Sequence, residues 1–333
     1  MTNIHSKFLV ITVLGPLLIA LAGAESALAL SGNRAVPGLD MKQWRRGPVI
    51  TIPFTLIHGI PFIKLSINGK KDELFMLDSG CERTILNSDE APRLKIRLSP
   101  KPVGHAVGLG DSAGQEMFAA RSVQLKFGGK AIAKGDFFAT SLFKDCGLTG
   151  VRIAGVIGYD VLRAHPTVID YPNGRFMIFT KGSFAPHLDK HIQALDVDRA
   201  AAYPVIAAAV SVEGRDYGPA RVVVDTGADA GFMFYARFAA NHTVGESGDW
   251  NVGKNCAIGG FGSLMHGLPG SINVGQEKIA LPDVAYMLNK EGIAQSELYD
   301  GLIGGPVLDK WSIVFDVANG KIYLIDSDPM NKP

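Results

Sequence analysis

The chain has 333 residues, of which 47% are hydrophobic and 20% are charged, a composition typical of a folded protein. This length exceeds what one hydrophobic core usually supports and suits about two domains. The 33 basic and 32 acidic residues are scattered and give a net charge of +1. The sequence therefore lacks the basic footprint of a nucleic-acid-binding protein and any basic patch for anionic lipid.

Residues 1–29 are predicted to be a secretory signal peptide. Lys7 precedes an apolar stretch at 8–24, which is followed by small-residue sites of the Ala-x-Ala type. The alternative is an uncleaved membrane anchor, because this stretch approaches the length that spans a bilayer. We expect an exported protein, periplasmic or secreted, which is tethered to the membrane only if the segment is retained. Residues 30–47, with Gly, Pro, Ser and charges but no periodicity, are predicted to form a linker.

Residues 48–185 are predicted to form a first lobe that is mainly β. Short runs rich in branched and aromatic residues, bounded by Gly, Pro or Asn, indicate strands at 49–52, 62–67, 74–77 and 123–127. Asn68-Gly69 predicts a hairpin, because both residues tolerate positive φ, and Asn173-Gly174 repeats the pair. A short helix is expected near 160–164.

Residues 186–200 are polar and are predicted to link this lobe to a second one at 201–327. The second lobe repeats the plan, with strands expected at 205–212, 222–224, 271–274 and 312–315. A short helix is expected at 235–241, and Asn319-Gly320 is a third turn signal.

The two halves share three sequence blocks in nearly constant register. Asp78-Ser79-Gly80 and Asp225-Thr226-Gly227 each follow an apolar strand and lie 147 positions apart (225 − 78). Two further pairs of blocks, which begin at 155 and 301 and at 168 and 314, are each offset by 146 positions (301 − 155; 314 − 168). One such triplet is weak evidence, because Asp, Ser and Gly are ordinary turn residues. Three ordered pairs indicate an internal duplication.

These paired motifs resemble the aspartic peptidases, and more narrowly the bacterial retropepsin-like and pepsin-like proteins that carry both lobes in one chain. The resemblance covers about 49–325 and implies an all-β fold of two homologous retropepsin-like (acid protease) β-barrel lobes related by pseudo-twofold symmetry. It assigns catalysis to Asp78 and Asp225 and implies an aspartic endopeptidase. Two carboxyls too close to ionise together would share one proton and activate a water between them. Peptide or protein is the expected substrate, and no cofactor is needed.

The resemblance also implies supporting roles for the residues beside the two aspartates. Gly80 and Gly227 would let the loops approach without a Cβ collision. The hydroxyls of Ser79 and Thr226 would bond across to the opposite loop. A monomer is permitted, because one chain carries both halves.

A glycine-rich patch follows each aspartate and is a candidate flap over an extended peptide. The first contains Gly108, Leu109 and Gly110, and the second contains Gly259, Gly260 and Phe261. The second patch resembles the retropepsin flap. The alternative for both is a tight surface hairpin.

Two chemical questions stay open at this point. Cys81 follows Gly80 where the family usually has a small or hydroxyl residue, and it either alters the dyad's proton affinity or simply fills space. Three cysteines allow at most one disulfide and one free thiol. The histidines and cysteines show no metal-ligand spacing, so no metal site is predicted.

Two other functions compete with the peptidase. One is a catalytically inactive peptide-binding protein on the same fold, since function lives in the site and not in the fold. The other is a structural β protein whose triplets are only turns, which would leave the two aspartates far apart.

Overall fold

The computed structural model describes residues 8–11, 44–112, 114–142, 151–185, 191–246 and 248–326. Strands dominate these ranges, as the sequence predicts. The first half contains helices α1 (Ala91–Leu94) and α2 (Tyr159–Leu162) and the strands β1 (Phe8–Ile11), β2 (Ile50–Ile57), β3 (Ile60–Ile67), β4 (Lys70–Leu77), β5 (Ile85–Asn87), β6 (Gly104–Gly108), β7 (Gln115–Phe127), β8 (Lys130–Thr140), β9 (Gly155–Ile157), β10 (Thr167–Asp170) and β11 (Arg175–Ile178).

The second half has the same order of elements after the strand β12 (Ile192–Asp196). It contains helices α3 (Ala236–Asn241) and α4 (Gly305–Leu308) and the strands β13 (Val205–Val212), β14 (Arg215–Val224), β15 (Phe232–Phe234), β16 (Asn251–Ala257), β17 (Gly260–Val274), β18 (Glu277–Met287), β19 (Gly301–Ile303), β20 (Trp311–Asp316) and β21 (Lys321–Asp326).

Each half closes a ring of six strands, which confirms the predicted pair of barrel lobes. The first ring runs β3-β4-β9-β5-β8-β7 and closes through the β7–β3 pairing. The second runs β13-β14-β19-β15-β18-β17 and closes through β13–β17. Strand for strand, the two rings have the same connectivity, so the duplication seen in the sequence is a duplication of a whole barrel.

A six-stranded sheet joins the two lobes. Its order is β2-β11-β10-β20-β21-β12, and its centre is the antiparallel pair β10–β20. Val168 pairs with Val314, its equivalent at the offset of 146, so these two equivalent residues of the repeats face each other near the pseudo-twofold axis. The side chains of β20 are buried along its whole length, which fits its apolar run from Trp311.

Alternating burial explains why the barrel strands form where they do. In β13 the side chains of Ile206, Ala208 and Val210 are buried, and those of Ala207 and Ala209 are exposed. This period of two presents one face to the barrel interior. The short strands β9 and β19 are buried at all three of their residues.

The turns and helices agree with the sequence in most places. Asn68 and Gly69 both have positive φ (46° and 86°) in the β3–β4 hairpin, as predicted. Helices α2 and α3 lie at the two sites where short helices are expected. Helices α1 and α4 were not predicted, since each is a single turn that contains a proline and carries no helical periodicity.

The predicted domain boundaries stay predictions, but three observations bear on the connecting segments. The predicted link at 186–200 contributes strand β12, which pairs with β21. Trp44, within the predicted linker, is buried and stacks on Phe179 with ring centroids 3.4 Å apart. Of the predicted signal peptide, only Phe8–Ile11 lies within the described residues, as a strand parallel to β6. Within the described ranges, we find no helix with the length and hydrophobicity needed to span a bilayer.

Candidate active site

The two aspartates occupy equivalent positions at the ends of β4 and β14. The backbone N–H of Asp78 donates to the carbonyl of Ile157 at 3.0 Å, and that of Asp225 donates to the carbonyl of Ile303 at 2.9 Å. Because β9 and β19 run parallel to β4 and β14, the repeated apolar-apolar-Gly blocks support the loops that carry the aspartates. Each carboxyl group is therefore fixed by a buried strand.

Ser79 and Thr226 join the two lobes directly beneath the aspartates. The N–H of Ser79 donates to Oγ1 of Thr226, and the N–H of Thr226 donates to Oγ of Ser79, both at 3.0 Å. The Ser79 hydroxyl donates to the carbonyl of Val224 at 2.6 Å, and the Thr226 hydroxyl donates to that of Leu77 at 3.1 Å. These buried bonds fix the spacing of the loops, as the resemblance implied.

Gly80 and Gly227 each lie against the aspartate of the opposite lobe. A Cβ atom on Gly80 would overlap the carboxyl group of Asp225, and one on Gly227 would overlap that of Asp78. Only glycine allows this approach. The two carboxyl groups lie within hydrogen-bonding reach of each other, so the triplets are not merely two separate surface turns.

Burial and mutual repulsion favour a proton on the aspartate pair. Both residues have 0% of their surface exposed. Burial, followed by the charge of Asp225, raises the pKa of Asp78 well above its usual value, and burial also raises the pKa of Asp225. Among the described residues, neither oxygen of Asp78 nor Oδ2 of Asp225 has a hydrogen-bond partner of normal geometry, although the backbone N–H groups of Gly80 and Cys81 lie close enough to Asp78 to lower its pKa. A proton held between the carboxyls would provide one.

The two aspartates are not equivalent in their hydrogen bonding. Oδ1 of Asp225 accepts a bond of 2.9 Å from the N–H of Gly227, which stabilises the ionised form of Asp225. The shared proton is accordingly biased toward Asp78.

Both predicted flaps are hairpin tips, and the two tips touch. The first flap, residues 108–112, connects β6 to β7, and the second flap, residues 257–261, connects β16 to β17. The N–H of Gly110 donates to the carbonyl of Ile258 at 3.0 Å, and that of Asp111 donates to the carbonyl of Phe261 at 3.1 Å. A Cβ atom on Gly110 would overlap the backbone of Gly259, so the crossing depends on glycine.

Each flap inserts an apolar side chain into the opposite lobe. Leu109 is fully buried in a cluster with Val223, Leu264 and Met287 of the second lobe. Ile258 is buried in a cluster with Phe62 and Met117 of the first lobe. The two aspartates are fully buried in the same structure.

Polar contacts add to the docking of the first flap. The carbonyl of Leu109 accepts bonds from the side-chain amides of Asn255 at 2.9 Å and Asn289 at 2.8 Å. Oδ1 of Asp111 accepts a bond of 3.0 Å from the N–H of Lys290. Sequence reasoning missed these two asparagines, which lie 146 and 180 positions from Leu109 and carry no local motif.

The remaining flap candidates have different surroundings. The side chain of Phe261 is 52% exposed. Gly259 and Gly260 have positive φ (94° and 87°), which a side chain would strain. Gly108 lies beside Gly292, whose Cβ would approach the Gly108 carbonyl.

Cys81 fills space behind the first aspartate. It is fully buried among Ile60, Met76 and Val156, and its thiol donates to the carbonyl of Arg83 at 2.9 Å. Burial, followed by the charge of Asp78, raises the pKa of this thiol well above its usual value, so it is held neutral. Cys81 is a free thiol and Cys256 is disulfide-bonded, while Cys146 lies outside the described residues.

No group of three His, Cys, Asp or Glu side chains in the described part of the chain is arranged to hold a metal ion. Asp170 and Asp316, which close the repeated Asn-Gly turns, bind Asn173 and Asn319 at 2.8 Å. These two acids therefore support turns and lie outside the site.

Comparisons with known proteins found one family match and similar solved structures. Residues 63–161, which include the first aspartate, match the family model described as aspartyl protease. Among solved structures, the chain is similar to an aspartic proteinase from Irpex lacteus, with a TM-score of 0.49 and 14% sequence identity over 83% of this chain and 96% of the other. None of the curated proteins compared with the chain matches it.

Proposed function

We propose that this chain, whose residues 63–161 match the aspartyl protease family model, is an active endopeptidase of the pepsin-like and retropepsin-like clan that hydrolyses peptide bonds with water activated between Asp78 and Asp225. The observation that carries the proposal is the buried pair of carboxyls, each packed against the glycine of the opposite loop. A protein that needed these triplets only as turns would gain nothing from burying two acids side by side.

The hydrogen bonds favour a different role for each aspartate. Asp225, which accepts the N–H of Gly227, is the ionised group and takes a proton from the attacking water. Asp78, neither oxygen of which accepts a hydrogen bond of normal geometry among the described residues, carries the shared proton and donates it toward the oxygen of the scissile carbonyl. The pair titrates as a unit, so its two pKa values belong to both residues together.

The substrate we propose is an extended peptide that lies between the two aspartates and the two flaps. The flaps touch in this structure, so a peptide enters only after the contact between Gly110 and Ile258 has opened. Closure over the bound peptide then shields the reacting bond and the attacking water from bulk solvent. The flaps are hairpins with glycine at their tips, which suits such a movement.

One observation favours a second function, that of a peptide-binding protein without catalysis. The dyad is unexposed, and Leu109 is held by two amide donors, so the closed arrangement is well stabilised. A chain that never opened widely enough to place a scissile bond at the dyad would bind peptides at most at the rim of its cleft.

The test is hydrolysis of a mixed peptide library by the protein without residues 1–29, between about pH 3 and 7, the range around ordinary carboxyl pKa values and above. Asp78→Asn and Asp225→Asn are the matched variants, because each keeps the shape of the side chain and removes its ionisation. Asp170→Asn serves as a control, since Asp170 is a buried acid outside the site. We expect cleavage by the wild type and the control, and none by either dyad variant.

Two results would redirect the proposal. Binding of peptides without cleavage at any pH would support the peptide-binding function. Cleavage that survives both dyad variants would show that another group performs the chemistry. A statine-type transition-state mimic that inhibits the wild type would add independent support for the dyad.

We also propose that the chain is exported with residues 1–29 removed. The apolar stretch with its Ala-x-Ala sites is the feature that supports this. Sequencing the N-terminus of the protein purified from its natural compartment tests the proposal. A protein that still begins at Met1 in the membrane fraction would support the anchor instead.

A further inference from the structure

We propose that the outer face of the second flap hairpin binds the surface of a lipid bilayer. This outer face consists of the side chains of β16, β17 and the end of β18 that lie opposite to those in contact with Leu109. Its members are Val252, Lys254, Phe261, Ser263, Met265, Tyr286 and Leu288. Binding to a bilayer requires no hydrolysis, so this surface can be tested separately from the proposed endopeptidase activity.

The inner face of the same three strands is occupied by the first flap. Asn255 donates to the carbonyl of Leu109, and the side chains of Leu264 and Met287 belong to the apolar cluster that contains the Leu109 side chain. Because successive side chains of a strand point to opposite faces, the residues before and after these three point outward. The second flap hairpin thus has an inner face turned to the cleft and an outer face turned to the surroundings.

Strand pairing makes the outward side chains neighbours. Val252 pairs with Met265 across β16 and β17, and Met265 pairs with Tyr286 across β17 and β18. The N–H of Leu288 donates to the carbonyl of Ser263, which places Leu288 in the next row. Adjacent strands lie about 4.8 Å apart, so three strands carry these side chains within a width of roughly 10 Å. The outer face is therefore one surface.

Large apolar side chains of the outer face are exposed. The exposed fractions are 77% for Val252, 52% for Phe261 and 45% for Leu288, and Met265 is half-buried. Seven large hydrophobic residues are exposed in the described part of the chain, and three of the seven lie on this one hairpin. Single exposed apolar residues are common on protein surfaces, whereas their clustering marks an interaction surface.

The composition of the outer face is that of a surface at the boundary between water and lipid. Lys254 is its one charged residue, is exposed, and forms no ion pair with the described residues. A lysine at a bilayer packs its hydrocarbon stem against apolar neighbours and places its ammonium group among the phosphates of the headgroups. Apolar side chains such as Phe261 and Leu288 enter the boundary between headgroups and acyl chains, and a tyrosine suits the headgroup level.

The shape and size of the outer face fit a bilayer better than a small ligand or a second copy of the chain. Val252, Phe261 and Leu288 line none of four cavities of about 270 to 580 Å³ in the described part of the chain, whereas small-molecule sites are concave. A stable interface between two proteins takes about 20–30 residues from each partner, many more than this hairpin presents. A bilayer requires neither concavity nor a large matching area.

The outer face lies at the end of the molecule that the apolar N-terminal stretch adjoins. Strand β1, which is the described part of that stretch, pairs with β6, and Ile11 lies opposite Gly108 at the root of the first flap. The first flap touches the second flap through Gly110 and Ile258. The stretch predicted to meet the membrane during export therefore adjoins the flap end of the protein, where the outer face also lies.

Binding to lipid vesicles is measured by co-sedimentation of the protein without residues 1–29, so that the predicted export segment contributes nothing. Strand β1 belongs to neither ring of strands, so this form keeps both lobes. The vesicles contain phosphatidylcholine alone, or equal parts of phosphatidylcholine and phosphatidylglycerol. Leu288→Ser is matched with Leu56→Ser, because the two leucines are 45% and 44% exposed and Leu56 lies on β2, outside the outer face. Near-ultraviolet circular dichroism verifies that each variant is folded.

Tryptophan fluorescence reports where the protein touches the vesicle. Trp250 is half-buried and packs edge-on against Tyr286 of the outer face, with ring centroids 4.9 Å apart, whereas Trp44 and Trp311, the other two tryptophans, are buried. Vesicles of brominated phosphatidylcholine, which quenches tryptophan at short range, should therefore quench Trp250. Trp250→Phe keeps a ring against Tyr286, so it should sediment like the wild type and lose the quenching.

We expect the wild type to bind both kinds of vesicle. Leu288→Ser should weaken binding to both by roughly 3- to 10-fold, because a side chain that is buried only in part recovers part of its transfer free energy. Leu56→Ser should bind like the wild type. Lys254→Gln should weaken binding to the vesicles with phosphatidylglycerol by about fivefold, the effect of one lysine near an anionic surface, and leave binding to phosphatidylcholine nearly unchanged.

Several results would overturn membrane binding by the outer face. They are absence of vesicle binding by the wild type, equal loss of binding in Leu288→Ser and Leu56→Ser, and binding without quenching of Trp250. A dimer in sedimentation velocity that Leu288→Ser dissociates would assign the outer face to a second copy of the chain instead. Asp78→Asn should bind vesicles like the wild type, so a failure of the proposed endopeptidase activity would leave membrane binding standing.

Discussion

Replacing Thr226 by valine should destabilise the protein strongly, because the Thr226 hydroxyl makes two buried bonds between the lobes. Valine keeps the shape of threonine but leaves the N–H of Ser79 without an acceptor and the carbonyl of Leu77 without its interlobe donor. A buried polar group that loses its partner costs about 1–3 kcal/mol, so two such groups give about 2–6 kcal/mol. Thr226→Ser keeps both bonds and removes one buried methyl group, which should cost about 1 kcal/mol.

Urea unfolding of the wild type and the two variants, monitored by tryptophan fluorescence with disulfides intact, measures these differences. Thr226→Val should have the lower free energy of unfolding of the two variants by at least about 1 kcal/mol, the cost of one unpaired buried group. Equal stability of the valine and serine variants would refute the reasoning, since it would mean that the interlobe bonds contribute nothing net.

Three further predictions concern the dyad and the flaps. Between about pH 4 and 7 the folded protein binds more protons than the unfolded chain, because the dyad pKa values are raised. Its free energy of unfolding should therefore fall as pH rises. Asp78→Asn should reduce the dependence of this free energy on pH, measured by urea titration. Gly227→Ala should abolish hydrolysis of a reporter peptide, whereas Gly47→Ala, with open space around its Cβ, should not change it. Asn289→Ala should speed amide hydrogen exchange in the first flap, because Leu109 loses one of its two amide donors; unchanged exchange would contradict this.

The duplicated motifs made the centre of the site predictable. Asp78 and Asp225 each follow an apolar strand and precede a glycine, and three blocks keep their spacing in both halves. A duplication of this kind requires the two triplets to be equivalent under a pseudo-twofold axis. The bonds between Ser79 and Thr226 then follow from that symmetry, as observed.

The docking of the flaps could not be predicted from the sequence. Gly108 to Gly110 and Gly259 to Phe261 read as glycine-rich hairpins, a pattern that fits a mobile flap and a surface turn equally well. A docked flap differs from a surface turn in its contacts with distant residues, such as the 2.8 Å bond from Asn289 to the Leu109 carbonyl. No local pattern encodes a pairing of residues that far apart.

The raised pKa of Asp229 and the strand in the interlobe link could not be predicted from the sequence for the same reason. Asp229 lies in an ordinary Ala-Asp-Ala sequence, and its pKa is raised to about 7 by burial and by the charge of Asp225, which the folded chain alone provides. The strand β12 is short and polar in part, and its pairing with β21 supplies the hydrogen bonds that make it a strand. Tertiary context decides such segments more than propensity does.

The dependence of kcat/KM on pH for the best library peptide tests the central claim most directly. A dyad that works with one carboxyl ionised and one protonated predicts a bell-shaped profile, with an acid limb and an alkaline limb that both report the pair. Asp78→Asn and Asp225→Asn should be inactive across the whole range. A rate that rises with pH to a plateau, or activity in either variant, would contradict the shared-proton mechanism.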